Sequence, residues 1–190
     1  MPLKNLIYYG KIYTVNGKGE KIFFSVGEKV VYKTNAVCNV EAIETPVFVK
    51  EKDKQYYKLR YLFSSGNEVV YVPVDSDVGI RKVMSAKEAE ACFETLRNVE
   101  APDFEPRQTV LLSQHFQGLL SDCSIDGSLM VLKEILLRER KYNELGKKLR
   151  QAENHYLAIV EKAVSEEFSV VLGKDVDEIK IMIRQAIYGE

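Results

Sequence analysis

The chain has 190 residues, enough for one large domain or two small ones. Hydrophobic residues make up 46% and charged residues 29%, so it can bury a core without disulfide or metal staples. With 27 basic and 28 acidic residues the net charge is −1, which excludes a global field toward nucleic acid or membrane and leaves such contact to a local patch. Cys38, Cys92 and Cys123 are odd in number and widely spaced. No CxxC occurs, which argues against a disulfide framework or a zinc site and for a reducing compartment. The apolar run after Lys4 is broken by Tyr8, Tyr9, Gly10 and Lys11. It signals neither a leader peptide nor a membrane span, and a cytoplasmic location is expected.

The front, to about Asp75, is rich in Val, Ile, Tyr and Phe. Leu6 to Val15 reads as a strand. Asn16-Gly17-Lys18-Gly19 supplies a turn that tolerates positive φ, and Glu20 to Phe24 returns as its partner. Lys29 to Tyr32, Val37 to Val49, Tyr56 to Phe63 and Val69 to Val74 follow as strand candidates. Tyr57, Leu59, Tyr61 and Phe63 fall on one face. Pro73 has no N–H to give a ladder, so its strand lies at an edge or ends there. Short strands, close turns and no intervening helix predict a small, bent antiparallel sheet or barrel. The hairpin at the N-terminus either extends that barrel or covers its edge.

The pattern changes at Ser85. Ser85-Ala86-Lys87-Glu88 reads as a capping box, and Ala89, Cys92, Phe93 and Leu96 recur at helical spacing. Pro102 and Pro106 mark a linker from Asn98 to Arg107. Helices are predicted over Thr109–Leu120, Ser128–Asn143, Leu145–Leu172 and Asp175–Ile187, with Gly173 as a C-cap. The domain plan is an N-terminal β extension over 1–22, a β module over 23–84, a helix and linker over 85–103, and a helical domain over 104–190. The fold class is α+β.

Enzyme signatures are absent: there is no GxGxxG, Walker loop, GxSxG or HExxH. His115 and His155 lie far from each other and from any cysteine, and read as surface or groove residues. Cys123 reads as a spare thiol in a polar loop, and Glu166-Glu167 as solvated acids. No catalytic residue, metal or cofactor is expected. One charge feature stands out: Arg138, Arg140, Lys141, Lys147, Lys148 and Arg150 surround a helix junction with only Glu139 and Glu144 against them. Such a cluster suits phosphate contact, or is two solvated helix ends complementing a helix dipole.

Several pieces together resemble the CarD family of bacterial transcription regulators. They are Val26-Gly27-Glu28-Lys29-Val30-Val31-Tyr32, Val40-Glu41-Ala42-Ile43-Glu44, Gln55-Tyr56-Tyr57-Lys58-Leu59, Val72-Pro73-Val74-Asp75 and Val78-Gly79-Ile80-Arg81. Their order and spacing match over roughly residues 23–97. The module is also similar to the RNA-polymerase-interacting domain of the transcription-repair coupling factor, whose motor has no counterpart here. Val131-Leu132-Lys133-Glu134-Ile135-Leu136, Glu144, Ala152, Glu166 and Gly173 resemble the family's helical C-terminal part.

The resemblance implies a Tudor-like bent antiparallel barrel docking on the polymerase β subunit by adding an edge strand to its sheet. It further implies a helical bundle that approaches promoter DNA and alters the lifetime of the open complex. The implied polymerase-binding residues are Ile43, Pro46, Val47, Val69, Val70, Tyr71, Val72 and Pro73. Any DNA contact is expected to use Lys141, Lys147, Lys148 and Arg150 of the basic cluster. No membrane and no small-molecule substrate are expected.

The chain departs from the family's pattern at several places. It has no tryptophan, where relatives insert one at the edge of the bubble; Phe104 or Phe116 are the candidate replacements. Two polymerase-contacting arginines of relatives fall at Pro46 and Tyr71. The Pro-x-His-Gly turn is replaced by Lys33-Thr34-Asn35-Ala36, with Asn35 as the expected left-handed residue. The segment from Phe104 onward holds 12 basic and 14 acidic residues. These departures leave open a protein-only adaptor whose helical domain binds a protein or itself.

Overall fold

A computed structural model describes residues 4–8, 11–15, 24–33, 36–51, 53–75, 79–98, 100–102, 104–121 and 124–189. The chain divides into two compact units, Met1–Lys82 and Val83–Glu190.

Among the described residues the first unit is all β. Strands β1 (Lys4–Tyr8) and β2 (Lys11–Val15) form a two-stranded antiparallel sheet in which Tyr8 pairs with Lys11. The span read as one strand is therefore a hairpin, reversing between residues 8 and 11. The turn expected over 16–19 lies outside the described residues. Strands β3 (Lys29–Tyr32), β4 (Ala36–Glu44), β5 (Tyr56–Tyr61), β6 (Val69–Pro73) and β7 (Ile80–Lys82) form a second antiparallel sheet, in the order β6-β5-β4-β3-β7. This sheet is open among the described residues, with β6 and β7 as its edges. Strand β7 carried no period-2 signal in its three residues and was not expected.

Alternation fills one face of this sheet. Val30, Cys38, Val40, Tyr57, Leu59 and Val72 pack with Phe24 into one buried cluster, and Tyr61 and Val70 sit against it. The register slips between Val40 and Ala42, so Glu41 is an extra residue on β4. Such a bulge bends a strand and increases its twist. It keeps Glu41 on the outer face, where it binds Lys58 (3.0 Å) and Arg60 (2.5 Å). Lys33 has φ of 55°, whereas Asn35 lies outside the described residues.

The second unit is all α. Helix α1 (Ala86–Asn98) starts with the expected capping box: Glu88 accepts from the Ser85 N–H (2.7 Å) and Ser85 Oγ from the Glu88 N–H (3.3 Å). Helices α2 (Thr109–Leu119), α3 (Ile125–Glu144), α4 (Gln151–Leu172) and α5 (Val176–Tyr188) follow. One core unites them, with Phe93, Leu96, Phe116, Leu132, Val164, Phe168 and Ile183 among its members. Helix α4 starts six residues later than its apolar stripe suggested. Gly146 stands at φ 64°, and Arg150 is the extended N-cap. Gly173 ends the helix at φ 65°, where a side chain would be strained.

Several polar positions are more buried than their residue types suggest. Glu166 (7%) and Glu167 (2%) are buried, not solvated. Glu167 accepts from the Met84 N–H (3.1 Å), satisfying an amide just ahead of α1. Arg138 is 7% exposed and inside the core, so it leaves the surface basic cluster.

Candidate functional site

The edge strand β6 is the first feature with unused binding capacity. Two bonds set the phase of its ladder with β5. The Val74 N–H donates to the Gln55 carbonyl (3.0 Å), and the Tyr61 N–H donates to the Glu68 carbonyl (3.3 Å). In an antiparallel pair, hydrogen-bonded positions alternate with non-bonded ones. In this register the bonded pairs are Tyr57 with Val72 and Leu59 with Val70. Val69, Tyr71 and Pro73 therefore turn their main-chain groups away from β5. Pro73 lacks an N–H at a position where the ladder with β5 requires none. The β1–β2 hairpin forms its own sheet and does not pair with β6.

The side chains around this edge divide by face. Val70 and Val72 turn inward, Val72 being fully buried, and their main-chain groups serve β5. Pro46 is also buried. Ile43 and Val69 are each 37% exposed, and Val47 is 93% exposed. Phe48 is 70% exposed, and the sequence reading passed over it. Its ring meets Tyr71 edge-on, with centroids 5.4 Å apart. The Tyr71 hydroxyl donates to Glu44 Oε1 (3.1 Å). Desolvation, and then that bond, push the phenol above its ordinary value. The exposed Phe48 thus packs on the half-buried Tyr71 ring of the edge strand, with the exposed Val47 next to it in sequence. An apolar pair in a loop between strands has no periodic signal, which is why Phe48 escaped notice.

The helical unit carries the second feature, a cleft of about 700 Å³ where α3 ends and α4 begins. It is lined by Arg107, Lys141, Lys147, Lys148 and Arg150, with Glu105 the one acid. The four predicted phosphate contacts thus converge, joined by Arg107 from the linker before α2. Glu105 binds Tyr142 (2.7 Å) and Lys141 (3.1 Å), which in that order hold its carboxyl below the usual range. The Arg150 guanidinium donates to the Pro106 carbonyl (2.7 Å), pinning the linker against the start of α4.

Beneath the cleft lies a buried charge network. Arg138 donates to Glu153 (3.0 Å), Glu134 (2.9 Å) and the Phe104 carbonyl (2.7 Å). Glu134 also meets His115 Nε2 (2.8 Å), and Glu153 accepts from the Arg150 N–H (2.6 Å). Of the two phenylalanines considered as wedges, Phe116 is fully buried in the core and cannot be one. Phe104 packs on His115, with centroids 4.5 Å apart. His115 is a half-buried network member, whereas His155 is exposed. Cys38 and Cys92 are buried, and Cys123 lies outside the described residues. Among the described residues no cluster of metal-ligating side chains occurs, and no helix is long and apolar enough to cross a membrane.

Residues 24–84, which hold β3 to β7 and the open edge, match the family model of the CarD-like/TRCF RID domain. The front unit contains a CarD-like/TRCF RID domain. That assigns the chain an RNA-polymerase-interacting, transcription-related role. The CarD-like match ends ahead of α1, so it leaves helices α1 to α5 outside it. A search of curated proteins found no match for the chain.

Proposed function

We propose that the chain is a CarD-like regulator, acting by binding and not by catalysis, whose Tudor-like front unit docks on the polymerase β subunit through β6. The observation that carries this reading is the ladder phase: the N–H and C=O groups of Val69 and Tyr71 face outward from an edge that is unpaired among the described residues. A polymerase strand would add there by main-chain bonding, with Tyr71, Phe48 and Val47 supplying apolar contact. Val69 flanks that contact and Pro73 contributes its carbonyl, whereas Ile43 stands on β4, in the row of Tyr57 and Val72 on the opposite face.

The test is binding of the full chain to the isolated β lobe, with Val69→Pro as the probe. That substitution removes an outward N–H and no ladder bond. Loss of one intermolecular hydrogen bond, about 1 kcal/mol, predicts roughly fivefold weaker binding with an unchanged melting temperature. Wild-type protein that fails to bind the lobe would refute the docking reading.

The finer part of the reading has the bound regulator alter the lifetime of the open promoter complex in a bacterial cytoplasm. The helical unit would contact promoter DNA through Lys141, Lys147, Lys148 and Arg150. The convergence of those cations supports phosphate contact, and affinity should then fall steeply with salt. A second reading, a protein-only adaptor, is favoured by the burial of Phe116 in a chain without tryptophan. It predicts no duplex binding even at low salt.

A further inference from the structure

We propose that the cleft between α3 and α4 is a binding site for a compact oligophosphate: inorganic tripolyphosphate or the phosphate tail of a nucleotide. This goes beyond the regulator reading and does not depend on polymerase docking.

Three observations carry it. The first is shape. The cleft's volume of about 700 Å³ falls within the range of small-ligand sites, roughly 300–1,000 Å³. The second is charge. Five cations face one carboxylate, and Glu105 is already engaged by Tyr142 and Lys141. Arg107, Lys147 and Lys148 make no ion pair among the described residues, so their charge is open to a ligand. The third is construction. The cations come from the linker before α2, the last turn of α3 and the loop into α4, and the linker is held in place by the Arg150–Pro106 bond. Cations strung along one helix face would suit the extended backbone of a duplex. Cations converging from three segments on one concavity suit an anion that concentrates several charges in a small volume. Tyr142 and the exposed Leu145 line the same cleft and offer an apolar surface beside the phosphates.

Such a ligand would occupy the cations proposed above for DNA, so the two would exclude each other. Calorimetric titration of the full chain with tripolyphosphate, with ATP and with a short duplex, at low salt, separates them. One-to-one binding of tripolyphosphate is expected, weakened about tenfold or more when Lys147→Ala and Lys148→Ala are combined. Both lysines are exposed, so the double variant should keep its melting temperature. ATP binding as tightly as tripolyphosphate would identify a phosphate-only site; tighter ATP binding would add base contact to Tyr142 or Leu145. No binding of tripolyphosphate, or binding that the double variant retains in full, would overturn the proposal. A duplex that binds while tripolyphosphate neither binds nor displaces it would also overturn it, and would leave the DNA reading standing.

Discussion

Arg138 is the residue on which the helical unit's polar interior depends. Its guanidinium, 7% exposed, answers two carboxylates that are themselves 3% and 0% exposed. Removing one partner of a buried ion pair leaves the others desolvated without compensation, which costs about 3–5 kcal/mol. Arg138→Met should therefore lower unfolding free energy by about that amount in urea titration; a loss below about 1 kcal/mol would mean the network is wetter than its geometry. Glu166 tests the opposite case. Burial pushes its carboxyl up, opposed by Lys162 and Lys180. A carboxyl with a raised folded value holds its proton more tightly folded than unfolded, so stability falls as pH rises through that value. Glu166→Gln removes this loss. It should melt above the wild type at about pH 7 and level with it at about pH 4. A constant offset at both pH values would assign the effect to packing.

At the scale of elements, much of the fold was legible because local chemistry and tertiary context agree. Ser85 with Glu88 marked the start of α1, Gly173 the end of α4, and Pro73 an edge strand. The failures have a common physical source. Glu166, Glu167 and Arg138 have partners or walls supplied by other elements, and no local pattern announces that a charge will be buried. The first turn of α4 was misread because Leu145 and Leu149 have helical spacing, while Gly146 takes a left-handed φ and breaks the run. The edge position of β6 was legible but its phase was not, since which carbonyls face outward depends on a register set by two strands. Lys133 links elements in a way only the fold reveals: from α3 it donates to the Leu96 carbonyl (2.5 Å) at the end of α1. Burial lowers its ammonium below the ordinary lysine value. Lys133→Met keeps the volume and strands that carbonyl, so a loss of about 1–3 kcal/mol is expected in thermal unfolding.

At the scale of the whole molecule, each unit has a hydrophobic core of its own, and the helical one is the larger. A unit with its own core should fold alone. Residues 83–190, expressed by themselves, should show helical circular dichroism and one cooperative urea transition; a gradual loss of signal would mean that the core is incomplete. The proposed docking edge and the proposed anion cleft belong to different units, so each can be varied by substitutions in its own unit. The open edge has one more consequence. A strand that offers donors at every outward position can recruit further copies of itself without limit. Here Pro73 leaves only Val69 and Tyr71 as outward donors. A missing donor makes β6 a poorer template for repeated edge-to-edge pairing than a strand with a full row of outward N–H groups.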